Sequence, residues 1–192
     1  MTTSNFRTES AAAAAPAEGG PPTGAPPRDG EFQALRRLAL LHSSTPRPVK
    51  PDRLLQAVCD LAKELTRGKY AALAVTDERD HTEGFYTSGL APAQLKGLKV
   101  PPTGHGPLGS LRSDGKPVRI DDLDKHPYAF GFPPKHPVMK RMLGVPIWAN
   151  GSVRGSMYVT DREDGEPFDD EDERAMVTLA RHATYVIENF WY

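Results

Sequence analysis

The side chains able to do chemistry are few. Six histidines and one cysteine, Cys59, are the strong metal-ligating types. A single cysteine excludes an intrachain disulfide, a thiolate-rich zinc site, an iron–sulfur cluster and the C-x-x-C-H form of covalent heme attachment. Cys59 stands beside Val58 in an apolar-periodic stretch, so a small buried hydrophobe is expected there. Asp121, Asp122 and Asp124 lie close together. Three acids in a loop are the pattern of a solvated edge whose side chains cap the backbone. There is no Gly-rich phosphate loop and no Ser/His/Asp or Cys/His set, so nothing points to hydrolysis or nucleotide transfer. His42, His81 and His182 read as ordinary helix or turn residues, and His105 lies between Gly104 and Gly106. His126 and His136 fall in a loop rich in proline, where Pro133, Pro134 and Pro137 restrict the backbone.

The elements that must position these residues follow from periodicity. Phe32, Leu35, Leu38 and Leu41 form an apolar stripe on a first helix. Prolines between Thr45 and Pro51 break it, and a second helix runs from Asp52 to Thr66 with Leu54, Val58, Leu61 and Leu65 on its buried face. Tyr70–Thr76 is apolar on both alternations, as in a central strand. One alternation carries Leu73 and Val75; the other carries Ala72 and Ala74, whose small side chains leave space. His81–Ser88 is an antiparallel return strand. Short helices are expected over Ala91–Leu98 and Pro107–Ser113, and a short strand over Pro117–Ile120. Asp121–Lys140 is an irregular loop, long enough inside a compact domain to suggest a function. Strands over Met142–Ala149 and Ser152–Asp161 meet at Asn150-Gly151, a strong hairpin signal. Asp169 caps a final helix running to Asn189. This order gives an α+β domain. A central antiparallel sheet carries the second and last helices on one face, and short helices, loops and a ligand pocket on the other.

The chain has 192 residues, with 24 Lys+Arg against 25 Asp+Glu and a net charge of −1. That balance gives no reason to expect nucleic acid or an anionic membrane as partner. No apolar run approaches the ~20 residues of a membrane span. Residues 1–30 read as a disordered Ala/Pro/Gly-rich tail without a secretory h-region, 31–50 as an N-terminal helix and linker, and 51–192 as the folded domain. A reducing cytoplasmic setting is expected. Phe190, Trp191 and Tyr192 are costly to leave in water, so they are expected to pack on the first helix or, preferably, to join a homodimer through the terminal helices.

The stretches Leu143–Ile147 (LGVPI), Ser152–Asp161 (SVRGSMYVTD) and Glu166-Pro167-Phe168 resemble the closing strands and helix of a GAF domain. Val118–Leu123 (VRIDDL), His126-Pro127 and Gly131–Pro146 (GFPPKHPVMKRMLGVP) are similar to the first GAF domain of the dormancy-survival sensor histidine kinases. That resemblance implies noncovalent heme b and sensing of oxygen, nitric oxide, carbon monoxide or redox state. By motif position it implies His136 as proximal heme ligand and Tyr158 as distal tyrosine. His126 matches a non-ligating position with a loop-shaping role.

The chemistry agrees with these positions. A neutral imidazole ligates iron through one nitrogen, and a loop stiffened by proline holds the ring at lower entropic cost. Phe85, Met139, Met142 and Leu143 are the expected apolar wall for a porphyrin. Alternation places Tyr158 with Ser156 and Thr160, over the space above Ala72 and Ala74, where its phenol can donate to a diatomic ligand. Unlike the kinases, the chain ends after the GAF helix with no transmitter motif. Three functions follow as expectations. The first is a stand-alone heme-b gas or redox sensor read by a separate signalling protein. The second is a heme-dependent oxidoreductase acting on nitric oxide, nitrite, peroxide or a nitrogenous metabolite, with Tyr158, and His105 as a further candidate, as proton donor. The third is a heme-free module binding a small molecule or protein.

Overall fold

The computed structural model describes residues 29–44, 50–91, 94, 107–125 and 138–191. Two helices open the chain: α1 (Asp29–Ser44) and α2 (Pro51–Thr66). Strands β1 (Gly68–Thr76) and β2 (Thr82–Ser88) follow. Next come α3 (Pro107–Asp114), β3 (Val118–Ile120) and a 3-10 turn at Leu123–Lys125. Strands β4 (Met142–Ala149) and β5 (Ser152–Arg162) lead into α4 (Asp170–Val186), which runs on as a π-helical turn over Ile187–Trp191. The strands form one antiparallel sheet in the order β2-β1-β5-β4-β3. The fold class expected from the sequence is the one observed. The tail expected over 1–30 lies outside the described residues except for Asp29 and Gly30, which begin α1. The helix expected over 91–98 is also mostly outside them; Gln94 N–H donates to the Ala91 carbonyl at 2.9 Å.

The β4–β5 connection shows why the register is secure. Asn150 has φ 50° and Gly151 has φ 78°, the pair of left-handed residues that a tight hairpin requires. Beyond it, Leu143 pairs with Val159 and Val145 with Met157, while Leu73 of β1 pairs with Met157 from the other side. These residues face α2 and α4. They share one buried cluster with Leu54, Leu55, Val58, Met176, Leu179 and Ala183. Cys59 is buried there as expected, and burial pushes its thiol pKa up.

Two expectations need correction at the chain ends. Among the described side chains of α1, Leu38 is buried and Leu41 packs partly, while Phe32 and Leu35 are 63% and 45% exposed. The helix packs on α2, with Arg37 paired to Glu64. At the C-terminus, Trp191 docks on its own domain. A Cβ on Gly84 of β2 would come within 2.7 Å of the indole Cη2, and Trp191 Nε1 donates to Glu83 Oε2 at 3.1 Å. Phe190 packs partly against the helix-side core and meets Tyr185 edge-on. These two aromatics are therefore used within the domain; Tyr192 lies outside the described residues.

The start of α4 is fixed by charge. Asp169 accepts from the N–H groups of Glu171 at 2.9 Å and Asp172 at 3.0 Å, and Asp172 accepts in return from Asp169 N–H. Arg162, at the end of β5, donates to buried Asp172 at 2.9 Å and to Asp164 at 2.6 Å. Burial raises the Asp172 carboxyl pKa, opposed by the Asp169 N–H and by Arg162. The hydrogen bond from Arg162 lowers that of Asp164 to about 2. A carboxylate depressed in the fold stabilises it above its unfolded pKa, and that stabilisation is lost as pH falls through the folded value. Asp172 acts in the opposite sense, favouring the fold as it protonates. Urea midpoints should therefore carry an Asp164-dependent decline from pH 4 down to about 2, and Asp164→Asn should remove that part of the slope.

Candidate functional site

The sheet face away from α2 and α4 carries a second set of side chains. Tyr158 sits on β5 between Ala72 of β1 and Gly144 of β4. One step along, Thr160 sits between Tyr70 and Met142. In the other direction, Ser156 sits between Ala74 and Pro146, and Phe85 of β2 lies next to Ala74. Met142 pairs onward with Ile120 of β3. Ile120, Leu123, Met139 and Met142 form a buried cluster, and Tyr70, Val118 and Tyr158 pack against it. Leu111 of α3 covers Gly144, where a Cβ would lie 2.7 Å from Leu111 Cδ1.

Small residues on both sides of Tyr158 give the ring room to lie on the sheet. Ala72 is buried, while Ala74, Phe85, Ser156 and Tyr158 are half-buried, so this part of the face is the more open one. Burial pushes the Tyr158 phenol pKa up, which keeps it protonated at neutral pH. Among the described residues the phenol has no hydrogen-bond partner. Thr160 is 1% exposed, and its Oγ1 has none either. A buried hydroxyl left unpartnered costs about 1–3 kcal/mol.

The residues singled out in the sequence divide as follows. Tyr158, Met139, Met142 and Phe85 lie on this face. Leu143 does not: it is fully buried in the helix-side core, because adjacent residues of a strand point to opposite faces and Met142 takes the inner one. His136, His126 and His105 lie outside the described residues. His81 is exposed, with Nδ1 3.0 Å from Asp77 Oδ2, an ordinary turn contact. His182 lies half-buried on α4 with its ring 6.1 Å from that of Tyr185. Asp122 accepts from Asp124 N–H at 3.1 Å and pairs with Lys125 at 2.8 Å, so this acid caps its own loop. Among the described residues no group of three His, Cys, Asp or Glu could hold a metal ion, and no helix is long and apolar enough to cross a membrane. Sequence reasoning placed Thr160 on Tyr158's side of the strand but assigned it nothing; the available signal was a hydroxyl two residues from Tyr158 in an apolar row.

Comparison with known proteins agrees with this architecture. The family profile described as GAF domain matches residues 49–188, and the chain belongs to that family. Its members are sensor modules for small molecules or partner proteins. Among solved structures, the chain is similar to the GAF domain of a phosphoenolpyruvate-protein phosphotransferase from Coxiella burnetii. The TM-score is 0.68 and the identity 23%, over 83% of this chain and 93% of that one. It is also similar to free methionine-R-sulfoxide reductase from Neisseria meningitidis in complex with its substrate. There the TM-score is 0.62 and the identity 18%, over 81% of this chain and 89% of the other. At such identities the likeness establishes the fold alone.

Because its phenol has no protein partner among the described residues, Tyr158→Phe should change unfolding free energy by about 1 kcal/mol or less in urea titrations. A larger loss would assign the hydroxyl to the fold.

Proposed function

We propose that the β5 face binds heme b noncovalently, that His136 would hold its iron and Tyr158 would donate to a bound gas, and that the protein senses a diatomic gas or redox state. The observation that carries this reading is Tyr158: a protonated phenol lying between Ala72 and Gly144 beside an apolar cluster that includes Met139. Met139, which packs in Tyr158's own cluster, stands three positions after His136 in the chain, a span of about 11 Å at most.

The residues fit the group. Met139, Met142, Ile120 and Leu123 supply thioether and aliphatic surface of the kind a porphyrin would pack on, and a histidine and a phenol are side chains that would suit iron ligation and donation to a gas. Heme supplies an iron centre able to take up a diatomic ligand or to change redox state. The chain's own part is to hold the imidazole, exclude water with the methionine and leucine side chains, and aim the Tyr158 hydroxyl as a donor.

One observation favours a second reading, a heme-free module for an organic ligand: the Neisseria reductase of similar fold takes its substrate without being a close relative. A reduction that used a thiol of this chain would have no accessible cysteine to draw on. Cys59, the chain's single cysteine, is fully buried on the helix side with its thiol pKa raised and its Sγ directed to the Tyr86 carbonyl at 3.6 Å.

Purified protein supplemented with hemin should show a Soret band that shifts on reduction and again with carbon monoxide, and His136→Ala should abolish it. An unchanged spectrum in the variant removes His136 as ligand, and no specific band in the parent protein favours the heme-free reading. We also propose a homodimer through the terminal helices, supported by Phe32, Leu35 and Leu40 exposed on α1 and Tyr185 exposed on α4. Light scattering after size exclusion should give twice the 21.0 kDa chain mass, falling to one chain mass in Phe32→Glu/Leu35→Glu.

A further inference from the structure

One hydroxyl on the ligand face is not explained by the fold. Among the described residues the other fully buried threonine, Thr66, is satisfied in the ordinary way: its Oγ1 donates to the Ala62 carbonyl at 2.8 Å. Thr160 is as deeply buried, at 1% exposure, yet among the described residues its Oγ1 has no hydrogen-bond partner. Strand alternation puts it on Tyr158's side, since Met157 and Val159 belong to the helix-side core. Its cross-strand neighbours are Tyr70 and Met142, and Met142 is shared with Ile120, Leu123 and Met139. That environment is thioether, aliphatic and aromatic. A valine would fill the same volume without carrying a polar atom into it. Buried polar groups without partners are rare in proteins, and each calls for a physical reason.

We infer that Thr160 is a ligand-binding residue: the occupant of this face presents a hydrogen-bonding atom to Thr160 Oγ1, directly or through one ordered water, beside the contact made by Tyr158. The two residues are two apart on one strand, so their side chains leave the sheet about 7 Å from each other. The ligand is therefore apolar where it meets Met139, Met142 and Ile120, and polar along the line from Tyr158 to Thr160. The inference rests on the heme reading only for the occupant's identity. Under that reading the polar atom belongs to the diatomic ligand or to a water shared with it.

Thr160→Val and Thr160→Ser in the full chain separate the possibilities. Without added hemin, Thr160→Val should melt at or above the parent temperature, because the hydroxyl contributes nothing to the unliganded fold. A clearly lower melting temperature would make Thr160 structural and overturn the inference. With hemin bound, reduced and under carbon monoxide, Thr160→Val should move the C–O stretching band to higher wavenumber as a hydrogen bond is lost. Thr160→Ser should restore the band, which a purely packing role would not do. A band that stays in place in Thr160→Val overturns the inference while leaving the heme reading intact. If hemin gives no specific Soret band with the parent protein, the heme reading falls by itself, and the melting comparison alone decides for or against Thr160.

Discussion

The structure depends on the alternation of β5. This strand is central in the sheet, paired with β1 on one side and β4 on the other. Met157 and Val159 enter the core beneath α2 and α4, while Ser156, Tyr158 and Thr160 face the opposite way. A slip of one residue would exchange the two sets and place hydroxyls in the helix-side core. The register is held at both ends of the strand. Asn150-Gly151 closes the hairpin at its start, and Arg162 reaches Asp172 of α4 at its finish. Fold and site are thus two outcomes of one pairing pattern.

The two faces are built to different rules. The helix side is an apolar core in which Thr66 and Cys59 donate to backbone carbonyls. The other side keeps small residues next to a large one, as Ala72 and Gly144 flank Tyr158. It carries hydroxyls that the protein does not pair among the described residues. A surface that tolerates incomplete polar pairing sacrifices some stability in exchange for recognition.

Much of this was legible in the sequence because period-two patterns map directly onto faces. YAALAVT separated Leu73 and Val75 from Ala72 and Ala74, and the register opposite Tyr158 matches that separation. Asp169 read correctly as a cap because an acid before an apolar-periodic run has one strong local use. Leu143 was misplaced because it was grouped by composition with Met142, and adjacent strand residues cannot share a face. The terminal aromatics were misjudged for a different reason. Where a chain end lands is decided by tertiary packing, and nothing local in Phe190 or Trp191 points to Gly84. Arg162 with Asp172 left no pattern to find, since its spacing depends on the turn between strand and helix.

The way β2 is finished bears on self-association. It is an outer strand of the sheet, the kind of boundary at which one molecule can add to the next and propagate aggregates. Here Gln56 of α2 donates to the Thr87 carbonyl at 3.0 Å and Cys59 to that of Tyr86, while the indole of Trp191 lies across Gly84. A strand whose carbonyls already serve a helix, and which is overlaid by a bulky ring, is a poor template for an incoming chain. β3 at the opposite margin spans only Val118–Ile120, too short to recruit one.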